Sequence, residues 1–85
     1  MLHKKQKILK NTLSLHEIEF ARKSCRALNK IINIRKQNIL YKDSLYKSID
    51  REFNNICLKH SDNADLLNSV LLFDEKKGKF RLYWK

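Results

Sequence analysis

The sequence predicts a small, mainly α-helical domain that ends in a β-hairpin, an α+β fold with about three helices. Apolar residues recur at three- and four-residue spacings through two long segments, and the last six residues alternate between apolar and polar. The chain has 85 residues with one Gly and no Pro, which is enough for one hydrophobic core and gives helices few reasons to stop. We therefore expect a basic N-terminal arm over residues 1–13 and a single helical domain over residues 14–85, with the hairpin at about 70–85.

The first helix has the clearest signals. Ser14 and Glu17 have the spacing of a capping box, in which each side chain accepts a hydrogen bond from the other residue's backbone N–H. We expect the helix to run from about residue 15 to the mid-thirties, as far as Gln37. Its apolar stripe suits either a monomer core or a contact between two copies, so a homodimer is one expectation. The stripe consists of Ile18, Ala21, Cys25, Leu28 and Ile32.

The second helix is predicted to start at a polar cap. Asp43 or Ser44 can supply that cap, with Leu40 and Tyr41 packed just before it. The helix should end near residues 58–60, ahead of a cluster of turn-forming residues. Its apolar positions are Tyr46, Ile49, Phe53 and Ile56.

A short third helix and the hairpin complete the chain. Asp62 or Asn63 can start a helix over residues 64–68. The polar loop over 74–79 contains the one glycine, Gly78, which we expect at positive φ. A hairpin alone is marginal in water, so it must pack on the helices through Phe80, Leu82 and Trp84. Tyr83 lies on the other strand face, and we expect it to be the most exposed aromatic residue.

Helices followed by a basic hairpin have the element order of a winged helix-turn-helix protein. A winged-helix-like arrangement is therefore one prediction, with the hairpin as the wing. No small-residue turn marks a helix-turn-helix here, and the helix after the turn is longer than usual. The likeness is one of element order alone, and it assigns no function.

Positive charge is concentrated near the start of the chain. Lys and Arg number 19 against nine Asp and Glu, a formal charge of +10, and residues 1–36 contain ten of the bases with two acids. Such a surface attracts a phosphate backbone, and Asn29 and Asn33 beside it can reach base edges. We predict a nucleic-acid-binding protein, a transcription or replication accessory factor for DNA or RNA. The main contacts are Arg22, Lys23, Arg26 and Lys30 on the first helix, supported by Lys4, Lys5, Lys7 and Lys10 in the arm and by Lys76, Lys77 and Lys79 in the hairpin loop.

Two other interpretations compete with this one. Genomes rich in A and T enrich proteins in Lys, Asn and Ile, and an amphipathic helix must place its charges on its solvent face. Basic excess also suits an acidic protein partner. The alternative function is a protein-interaction module that inhibits or assembles with a larger partner, as phage and mobile-element factors do. Its anchors would be Tyr41, Tyr46, Tyr83 and Arg81.

Catalytic and metal-binding patterns are weak. There is no Gly-rich phosphate loop and no grouped set of histidines and acids, so we expect a non-enzymatic protein without a cofactor. Cys57 and His60 have a three-residue spacing but lack a second ligand pair, so we expect no metal. No apolar run is long enough to span a membrane. Two cysteines and no signal-peptide pattern predict a cytoplasmic protein with free thiols.

Overall fold

A computed structural model describes residues 7–38 and 40–85, and it confirms the mainly α fold with a C-terminal hairpin. Within these residues, no helix is long and apolar enough to cross a membrane. Short 3-10 turns precede the first and third helices. The elements in chain order are α1 (Leu15–Lys36), α2 (Lys42–Lys59), α3 (Ala64–Val70), β1 (Leu71–Asp74) and β2 (Lys79–Leu82).

Helix α1 begins at the predicted capping box. The Ser14 hydroxyl accepts from the Glu17 N–H at 3.1 Å, and the Glu17 carboxylate accepts from the Ser14 N–H at 2.9 Å. All five residues of the predicted apolar stripe are buried in the core of a single chain. A homodimer that used this stripe would have to dismantle the core, so the stripe serves the monomer.

The predicted start of α2 is wrong. Tyr41 is the N-cap, it makes no side-chain capping bond, and the helix begins at Lys42. Asp43 and Ser44 therefore lie inside the first turn, where Asp43 still faces the positive end of the helix dipole. Leu40 is 94% exposed and Tyr41 74%, so neither packs before the helix as expected. Both precede α2 as non-helical backbone that leads away from the core, whereas the end of α2 at Lys59 is as predicted.

Helix α3 leads directly into an antiparallel hairpin. It starts after Asn63 as predicted, without a side-chain cap, and runs to Val70, two residues further than expected. The strands pair with Phe73 opposite Phe80, and Gly78 has the predicted positive φ, at 68°. The Asp74 carboxylate accepts from two backbone N–H groups of the turn at 3.0 and 3.2 Å, which holds the turn closed.

Strand β2 lies antiparallel along α1. Gly78 is beside the Lys36 ammonium, and the Trp84 ring is 5.9 Å from the Arg22 guanidinium. Fourteen helical residues rise about 21 Å, and six extended residues span about 20 Å. The strand and the helix therefore match in length over this interval.

The Asn29 side chain makes the shortest hydrogen bonds between α1 and β2, and the Cys25 thiol adds a weaker one to the Phe80 carbonyl at 3.5 Å. The Asn29 amide accepts from the Phe80 N–H at 2.7 Å and donates to the Phe80 carbonyl at 2.9 Å. The backbone N–H of Tyr83, just after β2, donates to the Val70 carbonyl. The backbone N–H and C=O groups of the odd-numbered residues of β2 therefore point toward β1, and those of Phe80 point away from it. Asn29 therefore satisfies the Phe80 N–H and carbonyl, which would otherwise lie unpaired at an open sheet edge.

Part of the basic arm is docked on the hairpin. Ile8 forms a parallel bridge with Trp84. Lys85 donates its N–H to the Ile8 carbonyl at 2.9 Å, and Lys10 donates to the Lys85 carbonyl at 3.0 Å. A 3-10 turn follows at Lys10–Thr12. Residues 7–13 are therefore attached to the domain, and residues 1–6 of the predicted arm lie outside the described residues.

We expect Asn29→Ala to destabilise the fold by about 2 kcal/mol, because it leaves the Phe80 N–H without a partner and leaves the Phe80 carbonyl with only the weak hydrogen bond from the Cys25 thiol at 3.5 Å. Urea unfolding followed by circular dichroism measures this change. Asn33→Ala is the matched control, since Asn33 is exposed on the same helix, and it should change stability by less than about 0.5 kcal/mol. Equal effects of the two substitutions would contradict the role given to Asn29.

We expect Gly78→Ala to cost about 1–2 kcal/mol, because a side chain at positive φ meets its own backbone. An added Cβ would also come within 2.6 Å of the Lys36 ammonium, although that flexible side chain can move. A thermal melt should show a decrease of about 4–8 °C per kcal/mol. Gly78→Asn should lose less, since Asn tolerates this conformation better than Ala does.

Candidate nucleic-acid interface

The basic residues predicted on α1 form one exposed ridge. Arg22, Lys23, Arg26 and Lys30 are all solvent-exposed and lie opposite the buried stripe. The first three line a shallow depression together with Glu19. Glu19 precedes Lys23 by one helical turn, an arrangement that favours attraction between the two side chains. The ridge therefore offers cations to solvent with a single carboxylate among them at this depression.

Trp84 brings the arm and the ridge together. The Lys10 ammonium lies 5.6 Å from the centroid of its ring, and the Arg22 guanidinium lies 5.9 Å from it. The ring is half-buried against the core, so its position is fixed by packing. Cations attracted to an aromatic ring are held near it, which keeps Lys10 beside the start of the ridge.

Tyr83 is half-buried, so the expectation that it is the most exposed aromatic residue is wrong. The Lys7 ammonium lies 5.3 Å from its ring centroid and the Arg81 guanidinium 5.8 Å from it. These side chains cover the strand face that points away from the core because residues 8–10 pair with the end of the hairpin. Tyr41, at 74%, is far more exposed.

The hairpin turn adds cations at the other end of α1. Lys76, Lys77 and Lys79 are exposed, and the Lys36 ammonium approaches the turn at Gly78. Cationic groups thus occur at both ends of the α1–β2 pair and along the ridge between them. The predicted contacts Lys4 and Lys5 lie outside the described residues.

The candidate protein-binding anchors lie in different surroundings. Tyr46 packs edge-on against Phe73 at 6.2 Å and is half-buried. Arg81 lies 3.7 Å from the Asp74 carboxylate as well as beside Tyr83. Both are therefore engaged within the fold, and Tyr41 is the candidate that most resembles an open contact residue.

Two functional assignments needed the structure. Asn29 has the position on α1 expected for reading base edges, but its amide is occupied by Phe80. Lys36 belongs beside the hairpin cations, although nothing in the sequence links it to a turn more than 40 residues away. Such long-range contacts leave no periodic signal in the sequence.

The described part of the chain has two free thiols and no group of side chains suited to hold a metal ion. Among residues 7–38 and 40–85, no three His, Cys, Asp or Glu side chains come together in a way that would hold a metal ion. Cys25 and Cys57 are free thiols. Burial raises the pKa of both, and Lys79 and the Asn29 amide partly oppose that rise at Cys25.

No protein-family model, no curated protein and no solved structure matches this chain. The winged-helix-like arrangement therefore stays a prediction from element order. The candidate interface depends on its own geometry and charge.

The two thiols should differ in reactivity toward a disulfide reagent such as DTNB at about pH 8. Cys57 is half-buried and Cys25 is 8% exposed, so we expect Cys57 to react first and both to react more slowly than free cysteine. Cys57→Ser should leave one slow phase that becomes fast in denaturant. A fast remaining phase in the native variant would show that Cys25 is accessible.

Proposed function

We propose that this chain is a small, non-enzymatic nucleic-acid-binding protein of the cytoplasm, a transcription or replication accessory factor. The observation that carries the proposal is the convergence of cations from separate segments of the chain. Trp84 holds Lys10 of the arm beside Arg22 of the ridge. The polyanionic backbone of DNA or RNA is the ligand whose charge matches such a surface.

The dimensions of the surface support this proposal. From Arg22 to Lys36 the helix rises about 21 Å, an interval over which duplex DNA carries about a dozen phosphates. The planar guanidinium groups of Arg22 and Arg26 suit bidentate contacts to phosphate oxygens. With Asn29 occupied by Phe80, the ridge offers more phosphate contacts than base contacts, so we expect weak sequence preference.

The alternative function, a protein-interaction module that inhibits or assembles with a larger partner, is favoured by a different observation. Three apolar side chains around the α1–α2 connection are exposed: Ile34 by 56%, Leu40 by 94% and Tyr41 by 74%. Large apolar residues that are exposed close together in the chain, as Leu40 and Tyr41 are, are candidates for a protein contact. Under this alternative, Tyr41→Ala should impair activity more than any pair of charge reversals on α1.

The test of the main proposal is fluorescence anisotropy with labelled duplex DNA, single-stranded DNA and RNA. Four phosphate contacts from the ridge predict that affinity falls about a hundredfold between about 50 and about 200 mM salt. Arg22→Glu with Arg26→Glu should weaken binding at least about tenfold at the lower salt concentration, because it replaces two attractions by two repulsions.

A matched control distinguishes binding at the α1 ridge from attraction by the net charge of the protein. Lys47 and Arg51 are exposed on α2 at the same four-residue spacing, so Lys47→Glu with Arg51→Glu changes net charge equally. This control should bind much more tightly than the α1 variant. Equal losses would assign binding to net charge alone, and no binding of the native protein at about 50 mM salt would end the proposal in favour of a protein partner.

A further inference from the structure

A second site lies on the other side of the core from the basic ridge, between α2 and the hairpin. A partly open cavity of about 460 Å³ occurs there, which is within the usual size range of small-molecule sites. Its deepest lining residues, Ile49, Leu71 and Phe80, are buried in the core. The cavity floor is therefore apolar and fixed by packing.

Aromatic rings surround this cavity in a continuous chain. Tyr46 packs edge-on against Phe73 at 6.2 Å, Phe73 edge-on against Phe80 at 5.3 Å, and Phe80 stacks on Phe53 at 5.6 Å. The first and last rings, Tyr46 and Phe53, both belong to α2 and are two helical turns apart. Asp50 lies between them on the same helix face, so the four rings and the Asp50 carboxylate form part of the cavity wall.

Both charged residues that line this cavity are acidic, whereas the chain as a whole has a formal charge of +10. Two carboxylates, Asp50 and Glu75, line its exposed edge. Among the described residues neither carboxylate is in an ion pair, although the chain has 19 Lys and Arg. Some of the other acids have local structural roles: Glu17 caps α1, and Asp74 closes the hairpin turn. Asp50 and Glu75 instead leave their negative charge at the entrance to an aromatic cavity.

We propose that this cavity binds an organic cation, an alkylammonium group held against the rings with its charge offset by Asp50 and Glu75. Aromatic rings attract ammonium groups through their negatively charged faces, and a nearby carboxylate adds to the attraction. Tyr46 already attracts one ammonium group of the chain, since the Lys42 ammonium lies 5.7 Å from its ring centroid, and a ligand would compete with Lys42 for this ring. The ligand is either a free polyamine or the side chain of a lysine on a partner.

This site is independent of the proposed nucleic-acid interface and differs from it in salt dependence. The Debye length is about 8 Å at physiological salt, so the distant positive ridge is largely screened from the cavity. Salt also screens the attraction of a cation to two exposed carboxylates, so affinity for a cation should fall between about 50 and about 200 mM salt, but less steeply than affinity for nucleic acid, which involves more charge contacts.

The experiment is an NMR titration of the full chain, labelled with 15N, at about 150 mM salt. The probes are spermidine, an Nα-acetyl-lysine amide and pentanol, an uncharged molecule of similar length to the lysine side chain. Both amines should shift backbone amides around Tyr46, Asp50, Phe53, Phe73 and Glu75. Tighter binding of spermidine assigns a free polyamine, and tighter binding of the lysine amide assigns a partner's side chain.

A charge-matched pair of variants decides the role of the carboxylates. Asp50→Asn with Glu75→Gln should weaken amine binding at least about fivefold, since each lost carboxylate removes an attraction. Glu19→Gln with Asp62→Asn also removes one Glu and one Asp, both exposed and outside the cavity lining, and should leave amine binding unchanged. Both variants alter surface residues and should keep the fold.

Three results would overturn the proposal. The first is the absence of amide shifts with either amine up to about 10 mM, a concentration at which binding is already very weak. The second is an equal response to pentanol, which would make the cavity a general apolar site. The third is equal weakening by the two charge-matched variants, which would assign amine binding to carboxylates over the whole surface.

Discussion

The contact between the Asn29 amide and the Phe80 peptide groups determines how the two layers of the fold are aligned. One side chain on α1 makes both a donor and an acceptor bond to β2, at 2.9 and 2.7 Å. A strand that slid by two residues would keep its apolar face inward and would move by about 6.6 Å. Hydrophobic packing alone tolerates such a shift better than paired hydrogen bonds do, so Asn29 is the feature that selects one register.

The charged surface depends on this alignment. With Phe80 at Asn29, the hairpin turn reaches Lys36 at one end of α1 and Trp84 reaches Arg22 at the other. Trp84 in turn fixes Ile8 through the parallel bridge and draws Lys10 toward Arg22. Lys10 of the arm therefore lies near Arg22, and the hairpin turn lies near Lys36, because the Asn29 contact positions the strand between them.

Local signals in the sequence predicted most of the fold. The capping box at Ser14 and the five apolar positions behind it predicted α1, and Gly78 predicted the turn, because each depends on neighbours within a few residues. The start of α2 was missed because Tyr41 occupies the N-cap without a side-chain hydrogen bond, so nothing in the residue types marks it. The docking of residues 8–10 was missed because it joins the two ends of the chain through backbone bonds that any residue can make.

The candidate sites were predicted unevenly for the same reason. The ridge on α1 follows from helical periodicity, so its exposed face could be read from residue spacing alone. The cavity depends on contacts among Tyr46, Phe53, Phe73 and Phe80, whose apolar character predicts only that they are buried somewhere. These rings and Asp50 line one cavity only if the hairpin packs on α2 at one position along that helix. The register of β2 on α1 determines that position.

The positions of the carboxylates affect how strongly the basic ridge can attract an anion. Arg22, Arg26 and Lys30 repel one another at four-residue spacings, each such pair opposing the helix by about 0.2–0.5 kcal/mol. A carboxylate beside the ridge would reduce this repulsion but would also compete with a polyanion for the cations. Glu19 is the one acid that lines the depression beside Arg22. Asp50 and Glu75 are instead exposed at the cavity, outside the depression on the ridge, so they lower the net charge without lying among the ridge cations. A protein with a formal charge of +10 can thus keep an attractive surface for an anion and a separate one for a cation.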